Sequence, residues 1–337
     1  VTRPLPGPAI DVHAHLAVPA ADALLQGHPG LDAQRALDAA ALGAASLEVN
    51  REQLARLGPQ LLDLDLRLAA MDAAGVDVQA VAPVPLPHSW ADRDLATRFV
   101  ELTNEGVLAF CARRPDRLVP VATVSLQHPD LAVRQLLTAA GGGARGVQVP
   151  TAAAPGRELD DPSLGPFWAA AAELGVAVLV HPWGCTLGER LGAYYLFNTV
   201  GNPTETALAL SRLLFSGVLE RYPALKLWSA HGGGYLPAYV VRADHAWATR
   251  PDARTTSEPP SALLRRTYVD SLVYTPQQLR HLVAVMGAGA VTLGSDYPFD
   301  MGVEDPVARL EAAGLDPLTT EAVRSTNAAR LLSLPTG

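Results

Sequence analysis

Lysine is almost missing from this sequence: Lys226 is the only one. Surfaces that grip nucleic acid or acidic membranes are built from clustered lysine and arginine. With a net charge of −8, neither partner is expected. Cysteine is nearly as scarce. Cys111 and Cys185 are too few for a disulfide framework, and they fit a reducing cytoplasm. No apolar run reaches the ~18 residues of a membrane-spanning helix, and no signal peptide opens the chain. A Gly-rich phosphate turn is lacking too. Where a dinucleotide-binding fold would place it, after the first strand pattern, the chain has His13-Ala14-His15-Leu16. Gly141-Gly142-Gly143 stands before a strand pattern and reads as a helix stop. Residues 16–66 contain no aromatic residue and no lysine.

What is present is a large apolar fraction, 49% of 337 residues, in alternating strand and helix patterns. Strand patterns cover 10–13, 76–83, 118–126, 144–149, 176–181, 225–231, 267–273 and 290–296. Helical spacing fills the intervals, and terminal helices follow from 306 to 332. The run Val176 to Val180 is apolar on both faces, as a buried parallel strand requires. Eight strands, each followed by a helix, predict a single α/β domain over 1–337, a (β/α)8 TIM barrel. The stretch 17–60 is too long for an ordinary connection. It is expected to be a segment inserted after strand 1 that covers the site as a lid.

In such a barrel the chemistry sits at the C-terminal ends of the strands. His13 and His15, two apart on one strand, project to one face. His181, His231 and Asp296 end three later strand patterns. Imidazoles and a carboxylate aimed at one point suit Zn2+, with Mn2+ also compatible, and an open position for water. A two-metal version needs a carboxylated lysine on strand 4, where this chain has Val147-Gln148-Val149. One divalent ion is therefore expected.

The segments Ile10-Asp-Val-His-Ala-His15, Met71-Asp-Ala-Ala-Gly-Val-Asp-Val-Gln79, Val180-His-Pro-Trp183, His231-Gly-Gly-Gly234 and Leu293-Gly-Ser-Asp-Tyr-Pro-Phe299 carry a resemblance. They are similar to the amidohydrolase superfamily, and within it to decarboxylases of the aminocarboxymuconate semialdehyde decarboxylase type. The resemblance implies that His13, His15, His181 and Asp296 bind the metal, and that His231 is the acid/base residue beside it. It also implies a substrate-binding Arg242, often reaching from the neighbouring subunit of a homodimer. A second substrate arginine is implied near Arg51 or Arg56, with Arg51 favoured, and Trp183 as a pocket wall. The implied activity is non-oxidative decarboxylation of a small carboxylic acid, of muconate-semialdehyde or hydroxybenzoate type. Hydrolysis of an amide or lactone on the same site is the alternative. A non-catalytic metal-binding scaffold is a third reading, against which the retained His231 argues. The family's characterised members use aromatic and basic residues in the region matching 16–66. Their lack here separates the metal site, which transfers, from the substrate, which does not.

Overall fold

The computed structural model describes residues 7–335, so the ends of the expected domain, 1–6 and 336–337, lie outside the described residues. Eight parallel strands form one sheet: β1 (Ile10–Leu16), β2 (Val78–Pro83), β3 (Leu118–Thr123), β4 (Gly146–Val149), β7 (Ala177–Val180), β8 (Leu227–Ser229), β9 (Tyr268–Asp270) and β10 (Val291–Thr292). They pair in sequence order. Backbone bonds from Val12 N to Leu293 O (2.9 Å) and Asp296 N to His13 O (2.8 Å) join the last strand to the first. The result is the expected (β/α)8 barrel. Ala177 and Leu179 enter one buried cluster while Val178 and Val180 enter another, which explains the doubly apolar strand.

Several strands are shorter than their sequence patterns. The eighth stops at Thr292 and the sixth at Ser229. The chain leaves extended geometry to reach Asp296 (φ 60) and His231 (φ 55), both in the left-handed region. Non-glycine residues hold that conformation at a cost, and such strain collects at functional sites. A short antiparallel hairpin after β4, made of β5 (Ala152–Ala154) and β6 (Arg157–Glu158), has no counterpart in the strand patterns. The intervening Pro155-Gly156 is its turn.

Residues 17–60 are mostly helical: α1 (Pro19–Leu25) and α2 (Pro29–Leu62), with a break at 26–28 where the Gly27-His28-Pro29-Gly30 cluster falls. Gly43 interrupts α2 with φ 73 and ψ 159. There the helix meets residue 192 so closely that a Cβ on Gly43 would lie 2.0 Å from the Gly192 carbonyl oxygen. Ala41 and Leu42 pack with Leu191 and Phe197, seating α2 on the segment that follows β7.

The third helix, α3 (Leu64–Ala74), is capped by Asp63, whose carboxylate accepts from Asp65 N and Leu66 N. It carries Arg67, fully buried between the rings of Tyr297 and Phe110. Arg67 donates to the His15 carbonyl and, at 2.7 Å, to Gln79 Oε1. Gln79 donates to Asp11 Oδ2 (2.9 Å). Asp11 in turn accepts from His13 N, Ser295 N and Ser295 Oγ. This chain of bonds ties α3 to the two strand ends that carry His13, His15 and Asp296. Burial lowers the guanidinium pKa to about 10, so it stays charged at neutral pH. Arg67→Met is expected to cost ~3 kcal/mol or more in urea unfolding, because it strands buried polar partners. A loss below ~1 kcal/mol would show that the network is dispensable.

Candidate metal centre

Each of three histidines spends one ring nitrogen on an oxygen. His13 Nδ1 bonds Asp270 Oδ2 (2.7 Å), His15 Nδ1 the Pro83 carbonyl (3.3 Å) and His181 Nδ1 the Pro182 carbonyl (2.9 Å). Carbonyls and carboxylates only accept, so Nδ1 carries the proton in each ring and Nε2 is a bare lone pair. The three Nε2 atoms turn toward one another and toward Asp296. His13 Nε2 lies 3.2 Å from His181 Nε2 and 3.4 Å from Asp296 Oδ1, and His15 Nε2 lies 3.1 Å from the same oxygen. Lone pairs facing lone pairs and a carboxylate repel unless a cation lies between them. His15 Nε2 is buried with no hydrogen-bond partner, as an atom reserved for an ion would be. The donor set and its anchoring oxygens therefore fit a divalent metal.

His231 joins the same cluster. Donor atoms of His13, His181, His231 and Asp296 lie within 4.8 Å of one another, and His231 Nε2 is 3.4 Å from Asp296 Oδ2. His15 falls outside that group of four but touches it through Asp296. Two features set His231 apart. Its side chain is 17% exposed where those of His13 and His15 are fully buried, and its Nδ1 has no hydrogen-bond partner among the described residues. Its backbone is held firmly, since Asp270 accepts from His231 N and Gly232 N, both at 2.8 Å.

Electrostatics agree with a cation site. Burial disfavours the imidazolium of His13, but Asp296 and Asp270 outweigh it and raise its pKa to about 9: without an ion the two carboxylates draw a proton to His13, and a bound cation would take that proton's place at Nε2. Burial alone would raise Asp296, yet His13, His15 and His231 hold it well below the usual carboxylate range. His181 is pushed well below the usual imidazole value by burial and then by its neighbouring rings. The arrangement favours positive charge at its centre without keeping every ring protonated.

A cavity of about 450 Å3 opens beside His181. It runs past the ends of β2, β3 and β4 and the β5–β6 hairpin, and α2 contributes Gln34, Leu37, Asp38 and Ala41 to its wall. Trp183 lines it, with Nε1 donating to Asp38 Oδ2 (3.3 Å) and its ring edge-on to Phe197. No lysine or arginine is among the described residues lining this cavity.

The arginines expected at the substrate are not brought to the centre within one chain. Arg51 is 74% exposed and pairs with Glu48 on its own helix, and Arg56 is exposed too. The reason is helical phase: α2 turns Ser46, Leu57 and Leu61 inward, which leaves both arginines facing out. Arg242 is exposed on the helix Leu236–Thr249 with no ion-pair partner among the described residues. Sequence reasoning also passed over Asp270, which accepts from His13, His231, Gly232 and Leu272. An acidic residue inside the mostly apolar Tyr268–Val273 run was the available signal.

Comparison with known proteins places this geometry in context. A sequence model of the amidohydrolase family matches residues 10–334. The 2-amino-3-carboxymuconate-6-semialdehyde decarboxylase of Dictyostelium discoideum is 31% identical over 307 residues, covering 90% of this chain and 85% of its own. The gamma-resorcylate decarboxylase of Rhizobium radiobacter is 28% identical over 300 residues, covering 82% and 89%. Among solved structures, a dihydroxybenzoic acid decarboxylase from a Polaromonas species, with bound manganese and 2-nitroresorcinol, superposes with a TM-score of 0.81. It does so at 22% identity, over 98% of each chain.

Proposed function

This chain belongs to the amidohydrolase family, and on that footing we propose that it is a metal-dependent, non-oxidative decarboxylase of a small unsaturated or aromatic carboxylic acid. The observation that carries the reading is the convergence of three Nε2 lone pairs on Asp296, with His231 alone left unanchored at Nδ1. His13, His15, His181 and Asp296 would hold one divalent ion, Zn2+ by donor type, with Mn2+ the nearest competitor. When bound, such an ion supplies a Lewis acid that grips an oxygen of the acid and draws off negative charge.

The chain's own residues do the rest. His231 holds a proton on its ring and gives it to the carbon that loses carboxylate. The C–C electron pair becomes the new C–H bond as carbon dioxide leaves, so no oxidant is required. Trp183 and Phe197 wall the cavity on one side, and α2 covers it as the proposed lid, keeping water from the reacting carbon. Two unpaired cysteines fit the cytoplasm as the compartment. The test is carbon dioxide release by metal-loaded protein from a panel of hydroxybenzoates and muconate-type acids. Release from at least one supports the reading, whereas cleavage of lactones or amides with no release from any acid would replace it with hydrolysis.

The lack of a described lysine or arginine on the cavity wall supports a substrate guanidinium contributed by another copy of the chain. Arg242 is the proposed donor in a homodimer, beside the exposed Tyr239 and Val241 on the same helix. Mixing inactive Arg242→Ala and His231→Ala subunits should then restore about a quarter of wild-type activity, since half the dimers are mixed and each carries one intact site. No recovery in hybrids shown to have formed would make each subunit self-sufficient.

A further inference from the structure

Gln148 lies on β4 with its side chain 95% buried, and it lines the cavity. Its Nε2 donates to the Pro83 carbonyl (3.1 Å), the same oxygen that receives His15 Nδ1. That bond fixes the amide's orientation, because only the NH2 end can face a carbonyl. Oε1 is left as a buried acceptor with no partner. Its backbone is fixed as well: Thr123 Oγ1 donates to the Gln148 carbonyl (3.3 Å), and β4 pairs with β7 through Gln148 and Leu179. Buried acceptors without donors are costly, so a ligand that brings a donor gains what the empty site lacks.

We infer that Gln148 is a specificity-determining residue whose Oε1 accepts a hydrogen bond from a hydroxyl or amino group on the substrate's body, while the carboxylate sits at the neighbouring metal centre. One shared carbonyl separates this acceptor from ligand His15, which places the two recognition points within the span of a single small acid. The inference rests on the decarboxylase reading for the position of the carboxylate. It narrows the substrate class to carboxylic acids that carry a hydrogen-bond donor, and it disfavours bare or fully alkylated analogues.

Calorimetry on metal-loaded protein with benzoate, 2-hydroxybenzoate and 3-hydroxybenzoate tests this. At least one hydroxybenzoate is expected to bind about tenfold tighter than benzoate. In Gln148→Met, close in volume but without the acceptor, that ratio should fall below about twofold. Gln148→Glu keeps an acceptor there and should keep the preference while weakening both acids. Equal binding of all three acids by the wild type would overturn the inference without any variant, and so would a preference that survives Gln148→Met undiminished. Carbon dioxide is scored in the same samples. Release without any hydroxyl preference sinks this inference alone, whereas preference without release from any acid supports it and sinks the decarboxylase reading alone.

Discussion

His231→Gln is expected to lower turnover by roughly 10²–10⁴-fold, the usual worth of a positioned proton donor, while the protein keeps its metal. The asymmetry among the imidazoles gives the reason. In His13, His15 and His181 the Nδ1 proton is committed to an oxygen, which fixes each Nε2 as a lone pair. The His231 ring has no such bond among the described residues and is the more exposed, so it can take up and release a proton as the reaction proceeds. Glutamine preserves polarity and approximate reach but cannot shuttle a proton. Elemental analysis and steady-state kinetics on one preparation check this: metal per chain should stay at the wild-type value and KM should move less than about threefold. If metal and activity disappear together, His231 is a ligand, as its place within the 4.8 Å cluster would equally allow.

Asp270→Asn is expected to weaken metal binding by 10–100-fold, a typical cost of removing a partner that orients a ligand, and to lower turnover with it. One carboxylate oxygen accepts from His13 Nδ1 and His231 N, and the other from Gly232 N and Leu272 N. Whichever way an asparagine amide turns, its NH2 faces two N–H donors. Burial pushes the Asp270 pKa up, but the bond and charge of His13 outweigh it and hold the carboxylate ionised. Removing that charge frees the His13 tautomer and loosens the turn under His231, so one substitution acts on metal and proton donor together. Competition with a chelator of known affinity measures the first effect. An unchanged metal affinity would mean that the carbonyl-anchored rings hold the site without His13.

The candidate metal ligands were legible because they obey local rules. His13 and His15 share a strand face, while His181, His231 and Asp296 each end a strand-like run. The alternation of runs also exposed the barrel, since each strand must be apolar enough to be buried on both sides. Asp270 was not legible, because its meaning depends on His13, 257 positions away, and no short pattern encodes such a partner. Gln148 was read only for not being lysine; its role emerges from a carbonyl on β2 that the fold brings beside it. The outward phase of Arg51 and Arg56 was hidden for a related reason: Gly43 kinks α2, so periodicity counted from one end of 17–60 does not predict which face the other end presents.

Metal stoichiometry is the most direct measure. Protein stripped by chelator, reloaded with Zn2+ or Mn2+ and passed through a desalting column should retain one ion per chain, and Asp296→Ala should retain none. Two ions per chain, or an equal content in wild type and Asp296→Ala, would contradict a single cation held by the strand-end imidazoles and this carboxylate.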